Sequence, residues 1–249
     1  MNLLLSRKYQ LIKVDTSALF VSDTHLSEDS PTVIDKFNRF LETHARQHEF
    51  LFILGDLFEY WVGDDANQFT SVLTGLKKLK TKIYFIPGNR DFLIGSDFLD
   101  KTNITLLKDP TLIQLGDEKA VILHGDTLCI DDKEYQEFRI KVRSEHWKKD
   151  FLSRTIKSRL KICDELRIKS KEAQKNKSEF VMDVNEDEVK NLFKELNYPS
   201  LMIHGHTHRP KRHKYSLDNH NCERWVLDDW YDSGSYLIWK DNQLNSEIL

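Results

Sequence analysis

Phe50-Leu51-Phe52-Ile53-Leu54-Gly55-Asp56 sets five consecutive apolar residues ahead of a glycine and a carboxylate. An apolar run this short, stopped at a glycine, reads as a buried strand that delivers an aspartate at its end. The pattern recurs four times. Ala18–Val21 leads to Asp23-Thr24-His25, and Ile83–Ile86 leads to Gly88-Asn89-Arg90-Asp91. Ala120–Leu123 leads to His124-Gly125-Asp126, and Leu201–Ile203 to His204-Gly205-His206. Between the first two strands Val33, Ile34, Phe37, Phe40 and Leu41 recur at helical spacing, Val72 to Leu79 reads as another helix, and Ile104–Leu107 as a short strand. This βαβαβ opening predicts an α/β fold, a sheet with helices on its faces.

With 249 residues, 39 % apolar and 11 % aromatic, the chain is long enough for one large domain or a domain plus a smaller insertion. The formal charge of −3 argues against a general nucleic-acid binder. No apolar run approaches the roughly 18 residues of a membrane span. Met1-Asn2-Leu3-Leu4-Leu5 is too short for a secretory signal. Cys129, Cys163 and Cys222 are widely spaced and odd in number, which predicts reduced thiols in the cytosol.

The middle of the chain differs. Lys133 to Lys177 holds 15 Lys or Arg against 7 Asp or Glu, with no proline or glycine, and predicts two or three helices. A further helix is expected at about Glu186–Leu196, ending before Tyr198-Pro199. Strands resume at Leu201 and continue in short alternating segments, such as Trp225–Leu227 and Ser235–Trp239. Leu152, Ile156, Leu160, Ile162, Leu166 and Ile168 are interleaved with Arg154, Lys157, Arg159, Lys161 and Arg167. Basic amphipathic helices of this kind rest on anionic membranes or cover an apolar groove. They equally form helical pairs packed on a domain with a solvated charged face.

Seven residues of the five motifs are oxygen or imidazole donors: Asp23, His25, Asp56, Asn89, His124, His204 and His206. Singly, each is a turn or a structural histidine. Together, at the carboxyl ends of strands where α/β sheets collect ligands, they predict a site for divalent metals such as Mn²⁺ or Zn²⁺. On extended backbone, positions i and i+2 share a face, so Asp23 with His25, and His204 with His206, are expected to point together. Two ions roughly 3.5–4 Å apart are the usual apparatus for phosphate-ester cleavage.

The order Asp-x-His, Gly-Asp, Gly-Asn, His, Gly-His-x-His resembles the calcineurin-like metallophosphoesterase superfamily. The resemblance implies a two-sheet β-sandwich flanked by helices (α/β/β/α), with residues 1–132 and 197–249 as the core and 133–196 as a basic helical lid. It implies that Asp23, His25 and His206 hold one ion, that Asn89, His124 and His204 hold a second, and that Asp56 bridges both, with Mn²⁺ the expected metal.

Longer words resemble one branch of that superfamily: Ile53–Glu59 with Trp61–Asp65, Gly88–Phe92, His124–Asp132 and His204–Pro210. Enzymes of this branch serve lipid A synthesis in Gram-negative bacteria. They split the pyrophosphate of a UDP-linked diacylated glucosamine lipid into UMP and 2,3-diacylglucosamine 1-phosphate. The resemblance implies catalytic roles for Arg90 and His204, and substrate contacts at Asn89, Arg90, Asp132, Ser170, Gln174, Lys177 and His204. Gln174 departs from the pattern, where a shorter Asn or Thr is expected. A cytoplasmic protein lying peripherally on the inner membrane is implied, with no nucleic acid and no obligate protein partner.

Arg90 fits that reaction, because a sugar phosphate leaves as a stable anion and a forked guanidinium suits a pyrophosphate. The plainer reading is an Arg90–Asp91 ion pair. Asp126 is expected to orient His124, and His208, Asp64 and Asp65 to play supporting parts, while residues 1–17 receive no role. Two rival functions stand: a dinuclear phosphodiesterase for nucleotides or dinucleotides, and a non-catalytic scaffold. The scaffold predicts lost ligands, yet all seven are present.

Overall fold

The structure, a computed structural model, describes residues 11–175, 177–178 and 181–249. Among them twelve strands form two six-stranded sheets. β1 (Ile12–Val14) and β2 (Ser17–Val21) are consecutive yet enter different sheets. β3 (Phe50–Ile53), β4 (Lys82–Phe85) and β5 (Ile104–Leu106) add in parallel beside β2. β6 (Thr111–Leu115) and β7 (Glu118–Ile122) pair antiparallel, and β8 (Leu201–His204) runs parallel to β7. β9 (Lys211–Leu217) pairs antiparallel with β10 (His220–Val226), which lies parallel to β8. β11 (Ser235–Lys240) and β12 (Gln243–Ile248) return antiparallel beside β2. The first sheet therefore reads β12-β11-β2-β3-β4-β5 and the second β1-β6-β7-β8-β10-β9.

Alternation along the strands builds the layers. In β2 and β3, Ala18, Phe20, Phe50 and Phe52 face the second sheet, while Leu19, Val21, Leu51 and Ile53 face helices. The second sheet answers with Ile113, Leu115, Ala120, Ile122, Leu201 and Ile203. Phe20, Phe52 and Tyr84 stand in register on adjacent strands and stack at 5.0 and 5.2 Å. On the outer face of the first sheet lie α1 (Pro31–Thr43), opened by a proline in its first turn, α2 (Thr70–Lys78) and α3 (Ser96–Thr102).

The basic stretch is three helices: α4 (Lys133–Arg143), α5 (Glu145–Leu152) and α6 (Ile156–Lys175). Asp132 caps α4 by accepting the amide of Tyr135, and Ser144 caps α5 by accepting that of Trp147. Trp147 and Phe151 of α5, with Leu160, Ile162 and Cys163 of α6, pack on the outer cluster of the first sheet. α7 (Glu186–Glu195) instead puts Val189 and Phe193 against Val121 and Met202 on the outer face of the second sheet. The layering is helix, sheet, sheet, helix. β1, β6, β9 and α3 go beyond the sequence expectation. β1 is three residues long, and β9 (KRHKYSL) is a charged edge strand whose apolar content is too low to announce it.

Phe52 fills the centre of the inter-sheet stack. Phe52→Ala is expected to cost about 3–5 kcal/mol of unfolding free energy, measured by denaturant titration.

Candidate metal centre

Asp23 lies two residues past β2, Asp56 three past β3, Asn89 four past β4 and His124 two past β7, while His204 is the last residue of β8. Because β2, β3 and β4 are adjacent and parallel, and β7 and β8 likewise, all these loops leave the same end of the sandwich. The convergence does not come from extended alternation. Asp23, His25, Asp56, His206 and His208 all have left-handed backbones, with φ of 53°, 45°, 51°, 68° and 52°. Such a conformation costs an L-residue on the order of 1 kcal/mol and is held only by surrounding structure. Here it is held by lacing between loops: the amides of Asp23, His25 and Leu26 donate to the carbonyls of Gly55, Asp56 and Leu57 at 3.1, 3.0 and 2.9 Å. Two glycines are obligatory for lack of room. A Cβ on Gly88 would run into the Asp56 carboxylate and backbone nitrogen, and one on Gly205 into Ser22 Oγ and Asp23 Oδ2.

Asp23, Asp56 and His124 bring one ligand atom each to within 4.8 Å of one another, and so do Asp23, His25 and His208. His124 Nδ1 donates to Leu54 O at 2.8 Å, a carbonyl that can only accept. Nε2 is thereby turned to the cluster, 3.0 Å from Asn89 Oδ1 and 3.8 Å from Asp56 Oδ1. An imidazole lone pair and an amide oxygen at that distance are reconciled by a proton or a metal ion between them, or by the Asn89 amide turned to donate. The field favours positive charge there: burial alone would lower His124, yet Asp56, Asp126 and Asp23 hold it up at about 9. The His206 ring lies 5.0 Å from that of His124, and its amide donates to Asp23 Oδ2 at 2.8 Å.

Asp23 Oδ2 also accepts from Ser22 Oγ at 2.6 Å. Its Oδ1 is buried without a well-aimed hydrogen bond, 3.9 Å from His25 Nε2 and 3.3 Å from His208 Nε2. Burial disfavours the charge on Asp23, but the nearby His208 and the fields of His124 and His25 hold the carboxyl far below its usual range. A fully buried, under-coordinated carboxylate oxygen among imidazole nitrogens suits a divalent cation. The residues fit the metal ions that the motifs imply.

His25 Nδ1 stands 3.2 Å from Glu59 Oε2, a charge contact rather than an aligned hydrogen bond, and this carboxylate favours the ring orientation with Nε2 toward Asp23. Glu59 is 3 % exposed; burial pushes its carboxyl up, but His25 and the charges of Arg90 and Arg167 bring it down to about 2. Arg167 Nε, on α6, is 2.9 Å from Glu59 Oε1. His204 is seated differently. Its Nδ1 is 2.8 Å from Gly205 O, and its Nε2 accepts from Arg224 at 3.3 Å. Arg224, 2 % exposed, is itself pinned by Tyr215 and Glu186 at 2.9 and 2.8 Å.

Contacts thus tie Asp23, His25, Asp56, Asn89, His124 and His206 into one cluster, with His204 at its edge. Arg90 donates its amide to Asp56 Oδ1 at 2.8 Å, and its Nε is buried without a hydrogen-bond partner. It does not pair with Asp91, which is fully buried and accepts the amides of Gly88 and Leu57 at 2.8 and 2.7 Å. Burial and the neighbouring Asp56 push Asp91 up to about 7. Asp132 and Lys177 meet at 2.6 Å, and Ser170 is half-buried on α6. The side chain of Gln174 lies outside the described residues, as do residues 1–10.

One supporting role is corrected. Asp126 does not bond His124; it accepts from Tyr135, Arg139 and Arg143 at 3.0, 2.6 and 3.3 Å, because α4 brings those donors over it. Asp64 and Asp65 are structural: Asp64 accepts from Trp61, Gly95 and Phe98, and Asp65 pairs with Arg159. His208, expected from the sequence to play only a supporting part, sits within the cluster. Glu59 lies inside a quoted word, but nothing in its spacing marked it as the partner of His25.

A family model described as calcineurin-like phosphoesterase matches residues 16–210. A protein of Aromatoleum aromaticum named UDP-2,3-diacylglucosamine hydrolase is 46 % identical over 228 residues, covering 90 % of this chain and 93 % of that protein. Proteins of the same name from Aliivibrio fischeri and Vibrio parahaemolyticus are each 43 % identical, over 228 and 236 residues, covering 90 % and 93 % of this chain and 94 % and 95 % of theirs.

Glu59→Gln keeps the shape but weakens the hold on His25. Affinity for Mn²⁺, measured by competition with a chelating dye, is expected to fall roughly 10–100-fold. Wild-type affinity would show that Glu59 does not position the ring.

Proposed function

This chain belongs to the calcineurin-like phosphoesterases, and from that premise we propose that it hydrolyses UDP-2,3-diacylglucosamine to UMP and 2,3-diacylglucosamine 1-phosphate, by attack of water at the α-phosphorus, in lipid A biosynthesis. The observation that carries the reading is the convergence of buried carboxylates, an amide oxygen and imidazoles at one end of the sandwich, in a chain whose relatives bear that enzyme's name.

Two divalent ions, Mn²⁺ on the mixed oxygen and imidazole donor set, supply Lewis acidity and acidify water when bound. Asp23, His25 and His206 would hold one, Asn89, His124 and His204 the other, and Asp56 both. Asp56 suits the shared position because its Oδ1 already faces His124 and its loop is laced to that of Asp23. Glu59 orients His25, and the Leu54 carbonyl orients His124. Arg90 brings a permanent charge, with its buried Nε still to be satisfied, to the pyrophosphate. His204, whose Nδ1 faces Gly205 O and whose Nε2 accepts from Arg224, would have to leave one of these partners to serve the ion or the phosphoryl oxygens.

Asp132, Ser170, Gln174 and Lys177 join Asn89, Arg90 and His204 as substrate contacts, and within the 133–196 insertion into the core of 1–132 and 197–249 it is α4–α6 that act as the lid, α7 being the outer layer of the second sheet. Phe138, Ile140, Leu152 and Ile168 are exposed on α4–α6 and offer apolar surface to acyl chains. Among the described residues no helix is long and apolar enough to cross a membrane, and peripheral residence on the cytoplasmic face of the inner membrane accords with a lipid substrate. No nucleic acid and no obligate protein partner are required.

The test is incubation with Mn²⁺ and UDP-2,3-diacylglucosamine in ¹⁸O water, with products identified by mass spectrometry. Label in UMP is expected; label in the sugar phosphate refutes attack at the α-phosphorus, and better hydrolysis of a dinucleotide refutes the substrate. Asp56→Ala is expected to reduce turnover to background. Near-native turnover with metal restored would overturn the two-metal reading.

A further inference from the structure

We propose that Tyr231 is the stacking platform for the uracil ring of the substrate, an inference that rests on the UDP-lipid reading and adds the nucleoside half of the site to it. The loop after β10 runs Asp228-Asp229-Trp230-Tyr231-Asp232. Trp230 is fully buried, edge-on to Phe37 and Phe40 at 5.6 and 5.5 Å, with its indole N–H donating to Ser235 O at 2.9 Å. That plug fixes the next residue. The Tyr231 amide donates to Asp229 Oδ1 at 3.0 Å, and its hydroxyl reaches Glu59 Oε2 at 3.4 Å.

The phenol ring lies parallel to that of His25, centroids 5.3 Å apart and planes within 5°. The residue nonetheless remains 55 % exposed. An aromatic ring that runs parallel to a buried imidazole and is more than half exposed offers aromatic surface to solvent beside the cluster. Flat π-faces of this kind take nucleobases, whose stacking needs no particular hydrogen-bond pattern. The place is right for the chemistry, since the ring under Tyr231 belongs to a metal-cluster histidine. An α-phosphate at the cluster leaves the uridine to fall within one nucleoside's reach.

The two halves of the substrate sort themselves by chemistry. The diacylated half needs apolar walls, which Phe138, Ile140, Leu152 and Ile168 provide on the helices. The 228–232 loop offers carboxylates beside one exposed aromatic, suited to ribose hydroxyls and an imide N–H rather than to acyl chains.

Equilibrium binding of UMP and of inorganic phosphate to the Mn²⁺-loaded protein tests the assignment, with metal content read by elemental analysis. Tyr231→Ala is expected to weaken UMP about 5–150-fold while phosphate affinity and metal content hold. Tyr231→Phe, which keeps the ring and drops the hydroxyl, is expected to retain UMP affinity. Unchanged UMP binding in Tyr231→Ala overturns the platform. So does a parallel loss of phosphate and metal, which would make Tyr231 only a brace for His25. Because UMP is read directly, a wild-type chain unable to cleave the UDP-lipid would sink the functional reading, while the same comparison still decides the role of Tyr231.

Discussion

Holding like charges together away from water is the constraint on which this structure turns. Asp23, Asp56, Asp91 and Asp126 are almost wholly buried within one end of the sandwich. Desolvating a carboxylate costs several kcal/mol unless donors or cations replace the water. Each has its own compensation. Asp91 is satisfied by backbone amides and lifted toward the neutral form, Asp126 by two arginines and a tyrosine, and Asp56 by the Arg90 amide. Asp23 is left with an under-coordinated oxygen among histidines. The cluster is therefore built short of positive charge, and the raised His124 and His208, which burial alone would lower, express the same shortage.

The two sheets exist in the arrangement that makes this possible. Ala18, Phe20, Phe50 and Phe52 lock the first sheet to Ile122 and Ile203 of the second, so the ends of β2, β3, β7 and β8 open on one spot. Loop-to-loop hydrogen bonds then take over from the ladders, running on from Asp23 to Leu26 against Gly55 to Leu57. Rigid strands and laced loops together hold five non-glycine residues in left-handed conformations that carry a cost without such support.

Apolar runs ending in chemistry-bearing residues made most of the strands, and the residues that gather past their ends, legible in the sequence. What escaped it has physical causes. β1 and β9 carry too few apolar residues to announce a strand, and each is recruited by a partner, β6 and β10, distant or following in the chain. The pairing of Asp23 with His25 was expected from alternation, but a left-handed turn achieves it, and such turns leave little mark when the residues are Asp and His, which tolerate them. His208, Glu59, Arg224 and Tyr231 are supporting residues that meet the donor set only through the fold: Arg224 reaches His204 from 20 positions away, Glu59 reaches His25 from 34, and Tyr231 reaches His25 from 206.

The basic stretch is the clearest case of composition being ambiguous until contacts are known. Its excess of positive charge suggested a membrane-facing surface or a solvated face. Four of its arginines point inward instead. Arg139 and Arg143 reach Asp126, and Arg143 also donates to Gly88 O at 2.9 Å, on the loop that carries Asn89. Arg159, 2 % exposed, enters the slot above Gly63 to meet Asp65 and the Val62 carbonyl. Arg167 meets Glu59, the partner of His25. The helices are thus tethered to the ligand loops by the charges that make them look like a surface. Any displacement of α6 must pull on Glu59, and through it on His25. The seating of α6 and the orientation of the donor cluster are therefore mechanically linked.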